Sequence, residues 1–238
     1  MKIVIDAGHG PDTPGKRSPD ESLREYQFNS VVARYVADEL LHGYGGVEIL
    51  MTHSDARDVP LGERTDKANA WGSNLFVSIH ANAYGKGEWN DVKGIETYVY
   101  TTRPSAAVKL AEVVQRNLVQ TTGRPNRGVK TANFHVLRET KMTAILVECG
   151  FMTNREECAL LKTDEYRRKC ASAIVSAIVE VYGLKEKKQA GPADEVSEWA
   201  REARDWAVSR GITDGTRPRE PVTREEVWTM LYRMSFFV

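Results

Sequence analysis

Three short apolar runs constrain this chain more than any other feature: KIVID at Lys2–Asp6, LFVSI at Leu75–Ile79 and AILV at Ala144–Val147. Each is continuous rather than alternating, the pattern of a strand buried on both faces. Each also gives way to a residue with chemistry: the first leads through Ala-Gly to His9, the second to His80, the third to Glu148. Segments of helical period lie between them. From Leu23 to Leu41 the residues Phe28, Val31, Val32, Tyr35, Val36 and Leu40 make one apolar stripe that Gly43 stops. Pro60–Trp71, with proline in the first turn, Ser105–Gln120, Arg155–Leu161 and Asp164–Tyr182 read as further helices, and Val47–Met51 and Gly94–Tyr100 as further strands. Strands alternating with helices predict an α/β layer architecture, a mostly parallel or mixed sheet flanked by helices. Its ligand site should lie at the carboxyl ends of the strands.

His9, His80 and Glu148 therefore converge on one sheet edge. Two imidazoles with a carboxylate suit zinc, which in hydrolytic sites takes three protein ligands and keeps a fourth position open. A further carboxylate must then act as base. Asp20, Glu21 and Glu25 all lie near the start of the first helix, and spacing alone does not choose among them. Glu25 stands one helical turn before Asn29, so the two can line one face. A glutamate at the end of an apolar strand, as Glu148 is, has the desolvated setting that raises a carboxyl pKa toward neutrality. The other histidines, His42, His53 and His135, lie in or beside turns and are expected at the surface or capping helices. Arg64 could contact substrate or brace the sheet through a salt bridge, with bracing the favoured role, and Tyr84 and Trp89 are loop aromatics that could stack on a sugar. Cys149 should face away from its neighbour Glu148, because successive strand residues point to opposite faces. Cys149, Cys158 and Cys170 are too few for a disulfide framework and read as buried thiols.

Composition excludes several functions. Lysine plus arginine, 33, equals aspartate plus glutamate, 33, so there is no strong field for gripping nucleic acid or an anionic membrane. MKIVIDAGHG meets an aspartate too early for a secretory signal, and no apolar stretch approaches the ~20 residues that cross a bilayer. The organisation predicted is a domain over 1–184, a charged Gly-Pro linker over 185–193, and a small helical domain over 194–238.

Four ordered motifs carry a resemblance: DAGHG at Asp6–Gly10, Glu25 four residues before Asn29, SIHAN at Ser78–Asn82 and VECGFMTN at Val147–Asn154. GIETYVY at Gly94–Tyr100 and Arg64 add to it. Residues 1–184 resemble the zinc N-acetylmuramoyl-L-alanine amidases. The resemblance implies a zinc-hydrolase-like fold, one zinc per chain on His9, Glu25 and His80, Glu148 as catalytic carboxylate, and peptidoglycan as substrate; on the residues alone Glu21 stays the alternative to Glu25 as third ligand. Trp199–Met234 resembles a single S-layer homology repeat, which implies that residues 194–238 contact a secondary wall polymer. The combination is similar to a bacteriophage endolysin, expected in the host bacterial cytoplasm until its release to the wall. Two other readings share these residues: a zinc peptidase acting within the stem peptide, and a non-catalytic wall-binding protein that keeps the fold.

Overall fold

A computed structural model of the chain describes residues 1–187, 196–215, 218 and 220–235. Its larger part is built on β1 (Lys2–Ala7), α1 (Glu25–Gly43), β2 (Glu48–Met51), α2 (Leu61–Trp71), β3 (Leu75–Asn82), β4 (Ile95–Val99), α3 (Ser105–Thr122), β5 (Asn126–Thr131), α4 (His135–Arg138), β6 (Thr143–Phe151), α5 (Arg155–Leu161) and α6 (Asp164–Tyr182). The strands form one six-stranded sheet in the order β2-β1-β3-β6-β4-β5. All neighbours are parallel except β4 and β6. The mixed α/β sheet flanked by helices is thus the architecture that the alternating pattern predicts.

Both sheet faces are covered, but unequally. Ile3 and Ile5 of β1, Val77 and Ile79 of β3, and Ile145 and Val147 of β6 bury one face under α1, α3 and α6. Full burial of side chains of this size stabilises by roughly 1.5–3 kcal/mol each, so this layer dominates the fold. On the opposite face Val4, Phe76, Ala144 and Leu146 form a smaller buried cluster with Ala68 of α2 and Val136 and Leu137 of α4, edged by partly buried Leu50, Trp71, Tyr98, Tyr100 and Met142. The period of two then places Asp6, Ser78, His80 and Glu148 on this second face, further along the same strands. Each central strand therefore turns from apolar to polar toward its carboxyl end.

Two differences from the sequence reading matter for the site. β3 continues to Asn82 and β6 to Phe151, so His80 and Glu148 lie inside strands, and they are register partners. β5 and α4 are additional elements. NRGVKT offers one apolar residue and an exposed edge, so no hydrophobic period reveals β5.

By contacts the chain divides into Met1–Lys187 and Lys188–Val238. The first unit extends past 184: Gly45 N–H donates to the Lys185 carbonyl (2.9 Å) and Lys187 N–H to the Gly43 carbonyl (2.8 Å). The rest of the expected linker, 188–193, and residues 194–195 lie outside the described residues. The second unit holds α7 (Glu198–Ser209) and α8 (Arg224–Met234). A capping box starts α8, the Thr223 hydroxyl accepting from Glu226 N–H and the Glu226 carboxylate accepting from Thr223 N–H. Among the described residues no helix is long and apolar enough to cross a membrane.

Candidate metal centre and catalytic cleft

β1 ends in a turn that brings His9 beside β3. His9 adopts a positive φ of 63°, and the preceding Gly8 packs on His80: a Cβ at Gly8 would fall 2.0 Å from the His80 ring. Glycine is required there by close approach. Arg64 of α2 fixes the turn, donating through Nη1 to Asp6 (2.8 Å) and through Nη2 to the His9 carbonyl (2.9 Å). Glu25, the first residue of α1, is 3% exposed and enters from the other side. Its Oε2 lies 3.2 Å from His9 Nε2 and its Oε1 2.9 Å from His80 Nδ1. The Asn29 amide links Glu25 to the β1 turn, donating to the Gly8 carbonyl (2.9 Å) and to Glu25 Oε1 (3.3 Å).

The structure thus gathers His9, Glu25 and His80, whose ligand atoms all lie within 4.8 Å of one another. Glu21 is excluded from this group. It takes a positive φ of 58° in the preceding turn, and its side chain is 65% exposed and paired with Arg17. Asp20 is absorbed by the same turn, accepting from Ser18 and Ser22. The donors suit zinc by chemistry and by spacing, since bonds of about 2.0–2.2 Å in a tetrahedral site set neighbouring donors roughly 3.3 Å apart. Outer contacts complete the fit. His80 Nε2 meets Ser78 Oγ at 3.1 Å, and Ser78 donates to Asp6 Oδ2 at 2.7 Å, the kind of secondary hydrogen bonding that orients imidazole ligands.

Burial pushes the His9 imidazole down to about 4, against the attraction of Glu25, so at neutral pH it is an uncharged donor. For His80 burial acts downward too, but the hydrogen bond to Glu25 and the Glu25 and Glu148 carboxylates outweigh it and hold the imidazole above its ordinary value. Burial works upward on Glu25, where the His80 hydrogen bond and both imidazoles overcome it and keep the carboxylate ionised. In the metal-free protein the proton of this cluster therefore sits on His80. A zinc ion taking His80 as a ligand would have to displace it, so affinity should strengthen as pH rises through the titration of His80, with protons released. Calorimetric titration with zinc between about pH 5.5 and 8, in buffers of different ionisation enthalpy, checks this. An affinity that does not change with pH would mean that His80 is already neutral.

Glu148 is 9% exposed, and its Oε2 is buried with no hydrogen-bond partner. Burial is the leading cause that pushes its carboxyl up to about 8, with the Glu25 charge adding and His80 opposing. An orphaned buried oxygen beside a cluster that could hold a metal ion is a polar group with hydrogen-bonding capacity left to use. Next to it β4 brings Glu96, the register partner of Glu148 and 2% exposed. Glu96 was not foreseen, and neither were Arg127 and Lys130 of β5, which bracket it. Only the antiparallel β4–β6 register places these residues beside the cleft.

The remaining expected residues fall elsewhere. Arg64 is the buried brace predicted, and Cys149 faces the helix-covered core. His42 Nδ1 bonds the Asp38 carbonyl at the surface, and His135 begins α4 against Thr65. His53 is not at the surface: its side chain is 8% exposed, near Asp6 and Arg64. Trp89 packs on the core with the Arg155 guanidinium 4.5 Å over its ring, so that face is not open to a sugar.

A model of the Amidase_3 family, N-acetylmuramoyl-L-alanine amidase, matches residues 3–180. The chain belongs to this family. Among curated relatives it is 32% identical to the sporulation-specific N-acetylmuramoyl-L-alanine amidase of Bacillus subtilis (strain 168) over 80% of this chain and 72% of that one. It is 34% identical to the endolysin of Bacillus phage SPP1 over 80% of this chain and 69% of that one. The crystal structure of N-acetylmuramoyl-L-alanine amidase from Clostridium difficile 630 superposes with a TM-score of 0.72 at 30% identity, over 77% of this chain and 97% of that one. The Amidase_3 match ends close to the last residues of α6, so the family likeness concerns the first unit.

Proposed function

We propose that this Amidase_3 chain hydrolyses the amide joining N-acetylmuramic acid to L-alanine in peptidoglycan, with one zinc held by His9, Glu25 and His80 and with Glu148 moving the proton. One observation carries the reading: in the fold of this family, a buried carboxylate with an unpartnered oxygen is the register partner of a histidine in a three-donor cluster. When bound, zinc supplies Lewis acidity, which makes water a nucleophile near neutral pH and polarises the scissile carbonyl. Glu148 takes the proton released by the attacking water and delivers it to the departing amine of L-alanine, so the carboxyl is ready for another cycle. Desolvation raises this carboxyl in the metal-free fold, and a cation bound beside it would pull it back toward the ionised form that accepts the proton. His9 and His80 contribute uncharged imidazole donors, and Glu25 offsets part of the cation's charge.

The tail fits a wall-anchoring role. Among its described residues Trp199 is 87%, Trp228 63% and Tyr232 67% exposed, rings suited to stacking on a carbohydrate polymer. Its likeness to an S-layer homology repeat and the similarity to the SPP1 endolysin support a lytic setting. There the enzyme would be held in the host cytoplasm until release, with residues 194–238 touching a secondary wall polymer.

The test is digestion of purified walls. New N-terminal L-alanine should appear, should vanish in excess chelator and should return with zinc. Residues 1–187 should match the full chain on soluble fragments and fall behind it on intact walls, because tethering raises local concentration only at a surface. New termini from within the stem peptide would assign the chain to peptidases instead.

A further inference from the structure

The polar row on the second sheet face does not stop at Glu148. His80, Glu148 and Glu96 are successive register partners across β3, β6 and β4, so their side chains share one face, and Lys130 continues the row on β5 opposite Tyr98. Glu96 is buried yet holds more positive charge than it needs. Arg127 Nε and Lys130 Nζ both donate to its Oε1, at 2.5 Å each, and Tyr98 Oη (2.6 Å) and Asn82 Nδ2 (3.1 Å) donate to its Oε2. One cation would neutralise this carboxylate. Two leave a net charge of about +1 on this sheet face, on side chains 34% and 37% exposed. Among the described residues nothing occupies the two terminal nitrogens of Arg127, whose guanidinium is fixed over the Phe151 ring at 5.1 Å. A planar guanidinium held by one nitrogen and one face, with its outer edge unused, is preorganised to bind a carboxylate through two parallel hydrogen bonds.

We propose that Arg127 and Lys130 form a subsite for a carboxylate on the peptide arm of the substrate, an inference that rests on the amidase reading above. Two strand spacings, ~10 Å, separate the His80 strand from the Glu96 strand. An extended peptide covers ~3.3–3.6 Å per residue, so two residues span ~7 Å, a glutamate-length side chain supplies roughly the remaining 3 Å, and the group reached is a carboxylate of the second residue of the peptide arm. Glu96 serves as the positioning residue that holds both cations at this spot. The cleft then favours substrates whose peptide arm is acidic over those in which the same group is amidated.

The experiment compares N-acetylmuramoyl-L-alanyl-D-glutamate with the compound in which both glutamate carboxyls are amides, using the full zinc-loaded chain. Wild type should favour the acid about tenfold in kcat/KM, carried by KM, the scale of one charge-assisted contact at a partly exposed site. Arg127→Gln should bring the ratio close to unity, and Arg127→Lys, which keeps the charge without the fork, should retain part of it. A wild-type ratio near unity, or a ratio that survives in Arg127→Gln, overturns the subsite. Calorimetric titration with L-alanyl-D-glutamate and its diamide reads the same ratio without turnover. Failure to release L-alanine termini from walls would therefore count against the amidase reading, while the binding ratio alone would uphold or overturn the subsite.

Discussion

Glu148→Gln should lower hydrolysis by about 10³-fold or more, within the range expected when a positioned acid–base group is lost, while zinc content and fold are retained. His9→Ala, His80→Ala and Glu25→Ala should instead lose the metal together with the activity, because each removes one of three donors. The contrast separates a proton carrier from a ligand, and zinc content by metal analysis reads it directly. A pH signature accompanies it. The Glu148 carboxyl is raised above its unfolded value to about 8 in the metal-free fold, with burial as the main cause. Folding therefore disfavours its ionised form, so this group contributes a loss of stability that grows as pH rises from the ordinary glutamate pKa of ~4.3 through about 8. Glutamine cannot ionise and should not show that loss. Metal-free Glu148→Gln should thus melt higher than metal-free parent at pH 9 and close to it at pH 4. A variant that keeps turnover, or that loses zinc as the ligand variants do, would remove Glu148 from the proton-transfer role.

How much of this site can be read from the chain depends on how local each contribution is. His9, His80 and Glu148 announce themselves because each follows an apolar run long enough to be a strand, and parallel strands carry their ends to one edge. Glu25 is only partly legible. Asp20 and Glu21 share its neighbourhood, and what separates them is the turn at Ser18–Ser22, which spends Asp20 on local hydroxyls and turns Glu21 outward to Arg17. The acidic and basic cluster at Glu96 is illegible for a different reason. Its partners lie 31 and 34 residues away on an edge strand with no hydrophobic period, and the shared face exists only once β4 pairs antiparallel with β6. Likewise Ser78 and Asp6 stand in the motif strings, but their chain of hydrogen bonds from His80 to Arg64 follows from the β1–β3 register, in which Asp6 opposes Ser78. Strand ends can be inferred from one segment, whereas cross-strand neighbours require the strand order.

That chain of bonds sets the second large expectation. Arg64 and Asp6 are each about 2% exposed in their side chains, and Arg64 also donates to the carbonyls of Val59, Ala7 and His9. Arg64→Met would leave the Asp6 charge buried without its cation and three carbonyls without their donor. Breaking a buried pair in this way costs about 3–5 kcal/mol. Zinc affinity should drop as well, by about 10–100-fold, because the same two residues hold the His9 turn and, through Ser78, the second nitrogen of His80. Titration adds a sign. Burial alone would raise the Asp6 carboxyl, but Arg64 and the Ser78 and Thr52 hydroxyls reverse this and hold it below its ordinary value. The pair's stabilisation is thus present above the unfolded aspartate pKa of ~3.9 and is lost as pH falls through the lower folded value. In Arg64→Met the difference from the parent should shrink on acidification. Arg64→Met combined with Asp6→Asn removes the stranded charge and should recover much of the stability, but not the zinc affinity, since no donor returns to the His9 carbonyl. Recovery of both would mean that the pair acts on the metal site only through global stability, and recovery of neither would mean that the lost carbonyl contacts, not the stranded charge, dominate the cost.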